Sequence, residues 1–324
     1  MASAWGPDIL GGSFRQRTLP LDDDGSGDLV ATLVRRMPNP VASALHPLGD
    51  VDVLYVHGWS DYFFQTDLAR FWNRLGARFH ALDLRRYGRS LREGQRPGYV
   101  TSLDEYDADI EAALDAMPGR GRRRLVLMGH STGGLTLTLW AARHPGVASA
   151  LVLNSPWLEL QTGAFARQAL APLVQARARI DQLGPHPGVD LGFYSRAQRE
   201  LGTHPNGPEA WRPERGFATH PGWLAAVIAG HSRVATGVDV GCPAFVLLST
   251  TSTNPFSWGE HMTSADAVLM VDDIARAATR IGRDVSIARI EGAIHDVFLS
   301  APEPRAASYA AVGDWLLKGV LHDR

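Results

Sequence analysis

The sequence predicts an α/β fold, a mostly parallel central sheet flanked by helices, with an inserted helical cap. Three observations predict it. Apolar runs of strand length alternate with stretches of helical period up to Pro156. The alternation stops over a segment rich in Gly, Pro, Arg and His, and it resumes from about residue 218. The chain therefore divides into a first core part, 1–156, an inserted cap, 157–217, and a second core part, 218–324.

Phe14–Leu19 and Leu29–Val34 read as an antiparallel pair across the acidic turn from Asp22 to Gly27. Val51–Val56 (VDVLYV) is nearly continuous in apolar residues, as a strand buried on both faces requires. Phe63–Leu75 places Leu68, Phe71, Trp72 and Leu75 on one helical face. Strands Phe79–Leu84, Leu125–Met128 and Ala150–Leu153 follow, separated by helices Leu103–Met117 and Leu135–Ala142. Within the insertion, Phe165–Ile180 has helical spacing interrupted at Pro172, which lacks the N–H a helix interior uses. Helix Trp223–Val238, strand Ala244–Leu248, helix Val271–Ile281, strand Val285–Ile290 and helix Ala306–Leu317 complete the pattern. Residues 250–264 read as a long loop entering the face where the strands end.

A chain of 324 residues with 45% hydrophobic content can bury a large core. No stretch reaches the roughly 18 apolar residues that a membrane span needs. The start MASAWGPDILGGS lacks the basic-then-apolar pattern of a secretory signal. A single cysteine, Cys242, excludes an internal disulfide and reads as a packing residue, so a cytoplasmic location is expected. The net charge of −2 argues against a nucleic-acid partner. Two arginine clusters, Arg120 with Arg122 to Arg124, and Arg85, Arg86, Arg89 and Arg92, lack interleaved stacking aromatics and read as solvated loop residues. No ligand cluster has metal-binding spacing, so no metal or organic cofactor is expected.

The strongest motif is Gly129-His130-Ser131-Thr132-Gly133, the pattern G-x-S-x-G, set between the strand LVLM and a helix. A serine that must stand clear of a sheet needs a sharp strand-to-helix turn, and glycines two positions either side remove colliding side chains. The pattern alone is weak; its placement selects it. Gly230-His231-Ser232-Arg233-Val234 lacks the second glycine and falls inside a helical pattern. His57-Gly58-Trp59 follows the strand VDVLYV, where a loop amide can join that of the residue after the serine as an oxyanion hole; these are Trp59 and Thr132. His57 itself reads as a buttress of that loop.

A serine hydroxyl needs a base to accept its proton, and imidazole titrates near neutrality. Of 12 histidines, His295 follows the last strand within Gly292-Ala293-Ile294-His295-Asp296, in the chain order Ser, acid, His. His130 is tethered too close to Ser131, and His231 lies in a helix. The orienting acid belongs after the strand AFVLL, where Glu260, Asp266, Asp272 and Asp273 are available. Asp266 is chosen, with Asp272 the alternative, because Asp272 and Asp273 suit the first turn of the next helix. Asp83 precedes the nucleophile and reads as a loop-fixing residue.

YVHGWSDYFF, DLRRYGRS, GHSTGG, ADAVLMVDD and GAIHD occur in an order and spacing that resemble the α/β-hydrolase fold serine hydrolases. The likeness is to the monoacylglycerol lipase, lysophospholipase and serine aminopeptidase-like branch, and it covers about 30–156 and 218–320. Two departures stand out: Arg86 where glycine is frequent, and the insertion before Asp266.

The resemblance implies hydrolysis of carboxylic esters, acyl lipids included, through an acyl-enzyme on Ser131. A peptidase, thioesterase, lactonase or acyltransferase with the same triad, or a non-catalytic binding protein on this fold, are the alternatives. An aminopeptidase would need a carboxylate to receive the substrate ammonium, and Glu200, Glu209 and Glu214 are candidates. Epoxide hydrolases and haloalkane dehalogenases use Asp where this chain has Ser131. Phe165, Leu170, Leu173 and Val174 could line an acyl pocket or pack the cap, and helical spacing suits packing better. The expected partner is a small-molecule ester, with no integral membrane association.

Overall fold

The computed structural model describes residues 3–22, 25, 27–160, 164–184 and 191–320, with the side chains of 42, 44, 164–171, 319 and 320 left aside. In chain order the elements are β1 (Gly6–Pro7), β2 (Phe14–Pro20), β3 (Val30–Arg36), α1 (Pro40–Ala44), β4 (Val51–Val56), α2 (Thr66–Arg74), β5 (Arg78–Asp83), α3 (Tyr106–Ala116), β6 (Arg124–His130), α4 (Thr132–Arg143) and β7 (Ala150–Asn154). Then come α5 (Ala164–Ile180), α6 (Phe193–Glu200), α7 (Pro221–Ala235), β8 (Ala244–Ser249), α8 (Val271–Ala278), β9 (Val285–Ile290) and α9 (Pro302–Trp315).

One sheet runs in the order β1-β2-β3-β5-β4-β6-β7-β8-β9. β1, β2, β3 and β5 pair antiparallel in sequence along one side, and from β5 through β4 to β9 every pairing is parallel. Much of the acidic turn joining β2 to β3 (Asp23, Asp24 and Ser26) lies outside the described residues.

The continuous apolar runs have a direct physical outcome. Leu54 and Val56 of β4 join Leu127, Leu151 and Val246 in a core under α3, α4 and α7. Val53 and Tyr55 join Val126, Val152 and Phe245 in a second core with Leu68 and Trp72 of α2 and Val312 of α9. Alternate side chains of the central strands thus feed opposite cores, and the sheet is dry on both faces there.

The order also creates a switch point. β4 has β5 on one side and β6 on the other, so the chain steps from β4 to β5 in one direction and from β6 to β7 in the other. The loops after β4 and β6 diverge over the carboxyl ends of the strands, which opens a crevice there.

Local corrections follow from tertiary demands. The segment from Phe63 does not join α2: the Phe63 amide donates to Asp83 Oδ1 at 2.9 Å, and the helix begins at Thr66. α5 runs through Pro172 without interruption. α9 starts at Pro302, where proline at the first turn loses nothing, four residues before the expected Ala306.

The arginines of the loop after β5 are not solvated. Arg85, Arg86 and Arg89 are all buried. Arg85 Nε donates to Asp109 at 2.7 Å, and Arg89 links Asp8 at 2.6 Å to Asp83 at 2.8 Å. Arg86 Nη1 donates to the Tyr99 carbonyl at 2.5 Å, and its φ of 62° explains why glycine would suit the position. In the other cluster Arg120 and Arg122 are exposed, while Arg123 and Arg124 pair with Asp52 and Asp50 at 3.0 and 2.6 Å. Cys242 is partly buried against the core, and burial pushes its thiol up to about 11, so it is no thiolate nucleophile.

Candidate active site

The turn between β6 and α4 is strained at one residue. Ser131 has φ 53° and ψ −118°, a conformation that a side-chain-bearing residue keeps only when its surroundings impose it. A Cβ on Gly129 would stand 2.7 Å from the Gly133 carbonyl oxygen, and one on Gly133 would overlap the backbone of Val56 and His57. The two glycines let strand, turn and helix close on one another. Gly58 brings its backbone against the same serine: a Cβ there would lie 3.0 Å from Ser131 Cβ. Ser131 also caps α4, so the positive end of that helix points at the turn.

The loop after β4 is held by its histidine. His57 Nδ1 bonds the Gly58 carbonyl at 2.8 Å, and Nε2 accepts the Leu84 amide at 3.2 Å. Nδ1 therefore carries the proton, and burial lowers the pKa, so the ring is a neutral strut. Among the described residues, neither the Trp59 nor the Thr132 amide finds a loop or cap acceptor.

The structure brings His295 and Asp266 together. His295 Nδ1 lies 3.0 Å from Asp266 Oδ2, with both residues buried. The other carboxylate oxygen of Asp266 accepts the Val268 and Leu269 amides at 2.7 and 2.8 Å, which fixes its plane. The excursion before it is closed by a parallel bridge between Ser252 and Asp266, with Asp266 N donating to the Thr251 carbonyl at 3.0 Å. The long loop thus leaves β8 and returns to its end. Asp272 does not approach His295; it pairs with Arg289 at 2.7 Å. Asp273 contacts Arg276, and Glu260 lies in an exposed single turn.

His295 Nε2 is buried and has no hydrogen-bond partner, so no bond joins it to the Ser131 hydroxyl in this state. Both residues line one cavity of about 710 Å³, together with Gly58, Trp59 and Thr132. His130 lines it too, with Nδ1 3.2 Å from the Asn154 carbonyl and its ring centroid 4.9 Å from that of His295. Burial lowers its pKa.

One wall of the cavity is aromatic: Trp59, Trp157, Phe217 and Trp223, with Trp59 and Trp223 centroids 3.7 Å apart. For the α5 residues, helical spacing favours packing over a pocket wall. Val174 is buried, Leu173 is exposed, neither lines the cavity, and the side chains of Phe165 and Leu170 lie outside the described residues. Glu200, Glu209 and Glu214 do not line it either; Glu200 pairs with Arg196 at 3.1 Å and Glu214 with Arg199.

Sequence reasoning missed a buried polar group behind His295. Asp296 accepts from Asn154 Nδ2 at 2.7 Å and Gln65 Nε2 at 3.1 Å, while its amide donates to Tyr194 Oη at 3.1 Å. Only Asp296, next to the histidine, carried a local signal; Gln65 stands 231 residues away. Asp61 and Arg212, which meet at 3.0 Å on the cavity wall, were also missed. Among the described residues, no helix is long and apolar enough to cross a membrane.

The sequence matches the family described as serine aminopeptidase, S33, over residues 50–239. It is 36% identical over 116 residues to lysophospholipase L2 of Escherichia coli (strain K12), 35% of this chain and 32% of that one. The chain thus spans about a third of the length of that relative. A monoacylglycerol lipase of Mycolicibacterium smegmatis is 24% identical over 78% of this chain and 83% of its own. The crystal structure of Paleococcus ferrophilus monoacylglycerol lipase superposes with a TM-score of 0.63 at 18% identity, covering 90% of this chain and 99% of that one. The shared architecture is the α/β-hydrolase fold.

Proposed function

We propose that this chain, which belongs to the serine aminopeptidase S33 family, is a serine hydrolase that cleaves carboxylic esters, with Ser131 as nucleophile, His295 as general base and Asp266 as the orienting acid. The observation that carries the proposal is a buried imidazole bonded through Nδ1 to a fixed carboxylate, with Nε2 unpartnered at the cavity that holds a strained serine.

In this mechanism substrate seats its carbonyl over the turn, and Ser131 rotates its hydroxyl toward Nε2; such contacts tighten when substrate binds. Ser131 Oγ attacks the carbonyl carbon as its proton passes to Nε2. Asp266 holds the Nδ1–H tautomer and stabilises the imidazolium. The Trp59 and Thr132 amides receive the oxyanion. Collapse expels the alcohol, protonated by His295, and leaves an acyl-serine. A water molecule, deprotonated by the same nitrogen, releases the acid. Residues 157–217 serve as a cap, supplying Trp157, Tyr194, Arg212 and Phe217 to the cavity. A cytoplasmic location is part of the proposal, on the strength of the single cysteine.

Ester cleavage is favoured over aminopeptidase chemistry by one observation. Among the described residues lining the cavity, Asp61 is the one carboxylate, and Arg212 already neutralises it. A substrate ammonium has no free anion to meet.

The test is labelling of folded protein by a fluorophosphonate probe, with turnover of 4-nitrophenyl esters. Ser131→Ala is expected to abolish labelling and lower kcat by at least about 10⁴-fold. Near-full turnover by the variant, or faster cleavage of aminoacyl amides than of esters, refutes the proposal.

A further inference from the structure

Arg212 is a buried cation that the mechanism does not use. It comes from the segment 157–217, is 8% exposed and lines the cavity. Its Nε donates to Asp61 Oδ1 at 3.0 Å and its Nη2 to Gln198 Oε1 at 2.6 Å, while the buried Nη1 has no acceptor. A guanidinium N–H left unmet where water is scarce is destabilising, so the group retains capacity for one more acceptor. Ser60, beside Asp61 in the chain, lines the same cavity, and its buried hydroxyl also has no partner.

Charge narrows the chemistry of that partner. Among the described residues lining the cavity, the acidic side chain is Asp61, whose carboxyl burial pushes above its ordinary range, and the basic ones are the guanidinium groups of Arg212 and Arg215. Asp61 and Arg212 offset one another. Arg215 is exposed at the rim and makes no ion pair among the described residues. One guanidinium therefore remains uncompensated, and a monoanion entering the cavity makes the set neutral. A guanidinium also suits a carboxylate or phosphate better than a hydroxyl, because bonds to an ionised acceptor are roughly twice as strong.

We propose that Arg212, with Arg215 at the rim, binds an anionic oxygen group, carboxylate or phosphate, carried by the substrate, so that the cavity selects acidic acyl esters over neutral esters of the same chain length. This rests on the ester-hydrolase reading above. Arg212 is then a specificity residue delivered by the inserted segment, and Asp61 is its positioning partner.

The experiment measures kcat/KM on two matched pairs. The first sets 4-nitrophenyl octanoate against the mono-4-nitrophenyl ester of suberic acid, which carries its anion on the acyl side. The second sets a 1-acylglycerol against the 1-acylglycerol 3-phosphate of the same acyl chain, which carries its anion on the leaving group. Wild type is expected to prefer the anionic member of one pair by about tenfold, the contribution of one charge-assisted hydrogen bond; the responding pair shows which side Arg212 reads. Arg212→Gln alone leaves Asp61 buried and unpaired, which threatens folding. Asp61→Asn with Arg212→Gln removes both charges, and the preference is expected to fall within about twofold. Arg215→Gln, which keeps the buried pair, is expected to lower it by about threefold. Each preference is a ratio within one variant, so a uniform loss of activity cancels. Equal use of both members of both pairs by wild type overturns the inference, as does a preference that survives the paired substitution. Absence of Ser131-dependent turnover of all four esters defeats the ester reading and takes this inference with it, whereas turnover without charge preference removes the inference alone.

Discussion

Asp83 and Asp266 are both fully buried, and each sits at the carboxyl end of the parallel sheet, one ending β5 and the other returning to β8. Their surroundings assign them different work. Asp83 accepts the Phe63 and Arg89 amides and the Arg89 guanidinium, at 2.9, 3.0 and 2.8 Å. Both oxygens are committed to scaffold. Asp266 gives one oxygen to two amides and keeps the other for His295 at 3.0 Å. A carboxylate satisfied by a guanidinium and amides fixes a loop; one that faces an imidazole can orient a proton transfer. The contrast teaches that burial and position alone do not separate the two carboxylates, whereas the partner on the last oxygen does.

The largest effect should come from breaking the Asp266 side. Asp266→Asn keeps the two amide contacts on its carbonyl oxygen but turns an NH₂ toward Nδ1, favouring the wrong tautomer. The expected loss is about 10⁴-fold in kcat with the fold intact, read from ester turnover and near-ultraviolet circular dichroism. A loss below about tenfold would return the role to another carboxylate.

Breaking the Asp83 side should act on stability. Arg89→Met strands Asp8 and Asp83 as buried charges, and a loss of about 3–5 kcal/mol in unfolding free energy is expected, read from a lowered guanidinium chloride midpoint. If this variant unfolds at the wild-type midpoint, the network is no scaffold.

A smaller effect sharpens the same region through pH. His80 lies three residues before Asp83 on β5, fully buried, and burial lowers its pKa from 6.5 to about 4. Below the unfolded value the unfolded chain takes up a proton that the native state refuses, so stability falls as pH drops from about 6.5 toward about 4. The loss attributable to this ring is about 3 kcal/mol across that window. His80→Leu should flatten the stability slope there by that amount, measured by denaturant titration at successive pH values; an unchanged slope would show that the ring is not held neutral.

The sheet was largely legible because its central strands are apolar runs bounded by turn residues, and β9 matches the expected span residue for residue. Element ends were less so. The start of α2 depends on Phe63 donating to Asp83, 20 residues away, and no local pattern records such a bond. The buried arginines were missed for the same reason: Arg89 reads as solvated until Asp8, 81 residues distant, arrives beside it.

By itself the sequence determined the α/β alternation, the Gly-flanked serine turn and the chain order of Ser131, the candidate carboxylates and His295, because these are matters of local sterics and chain direction. Only the tertiary structure decided that Asp266 rather than Asp272 meets His295, and that Arg212 meets Asp61. Those pairings rest on distances between residues far apart in the chain, and such distances are set by packing, not by neighbours in sequence.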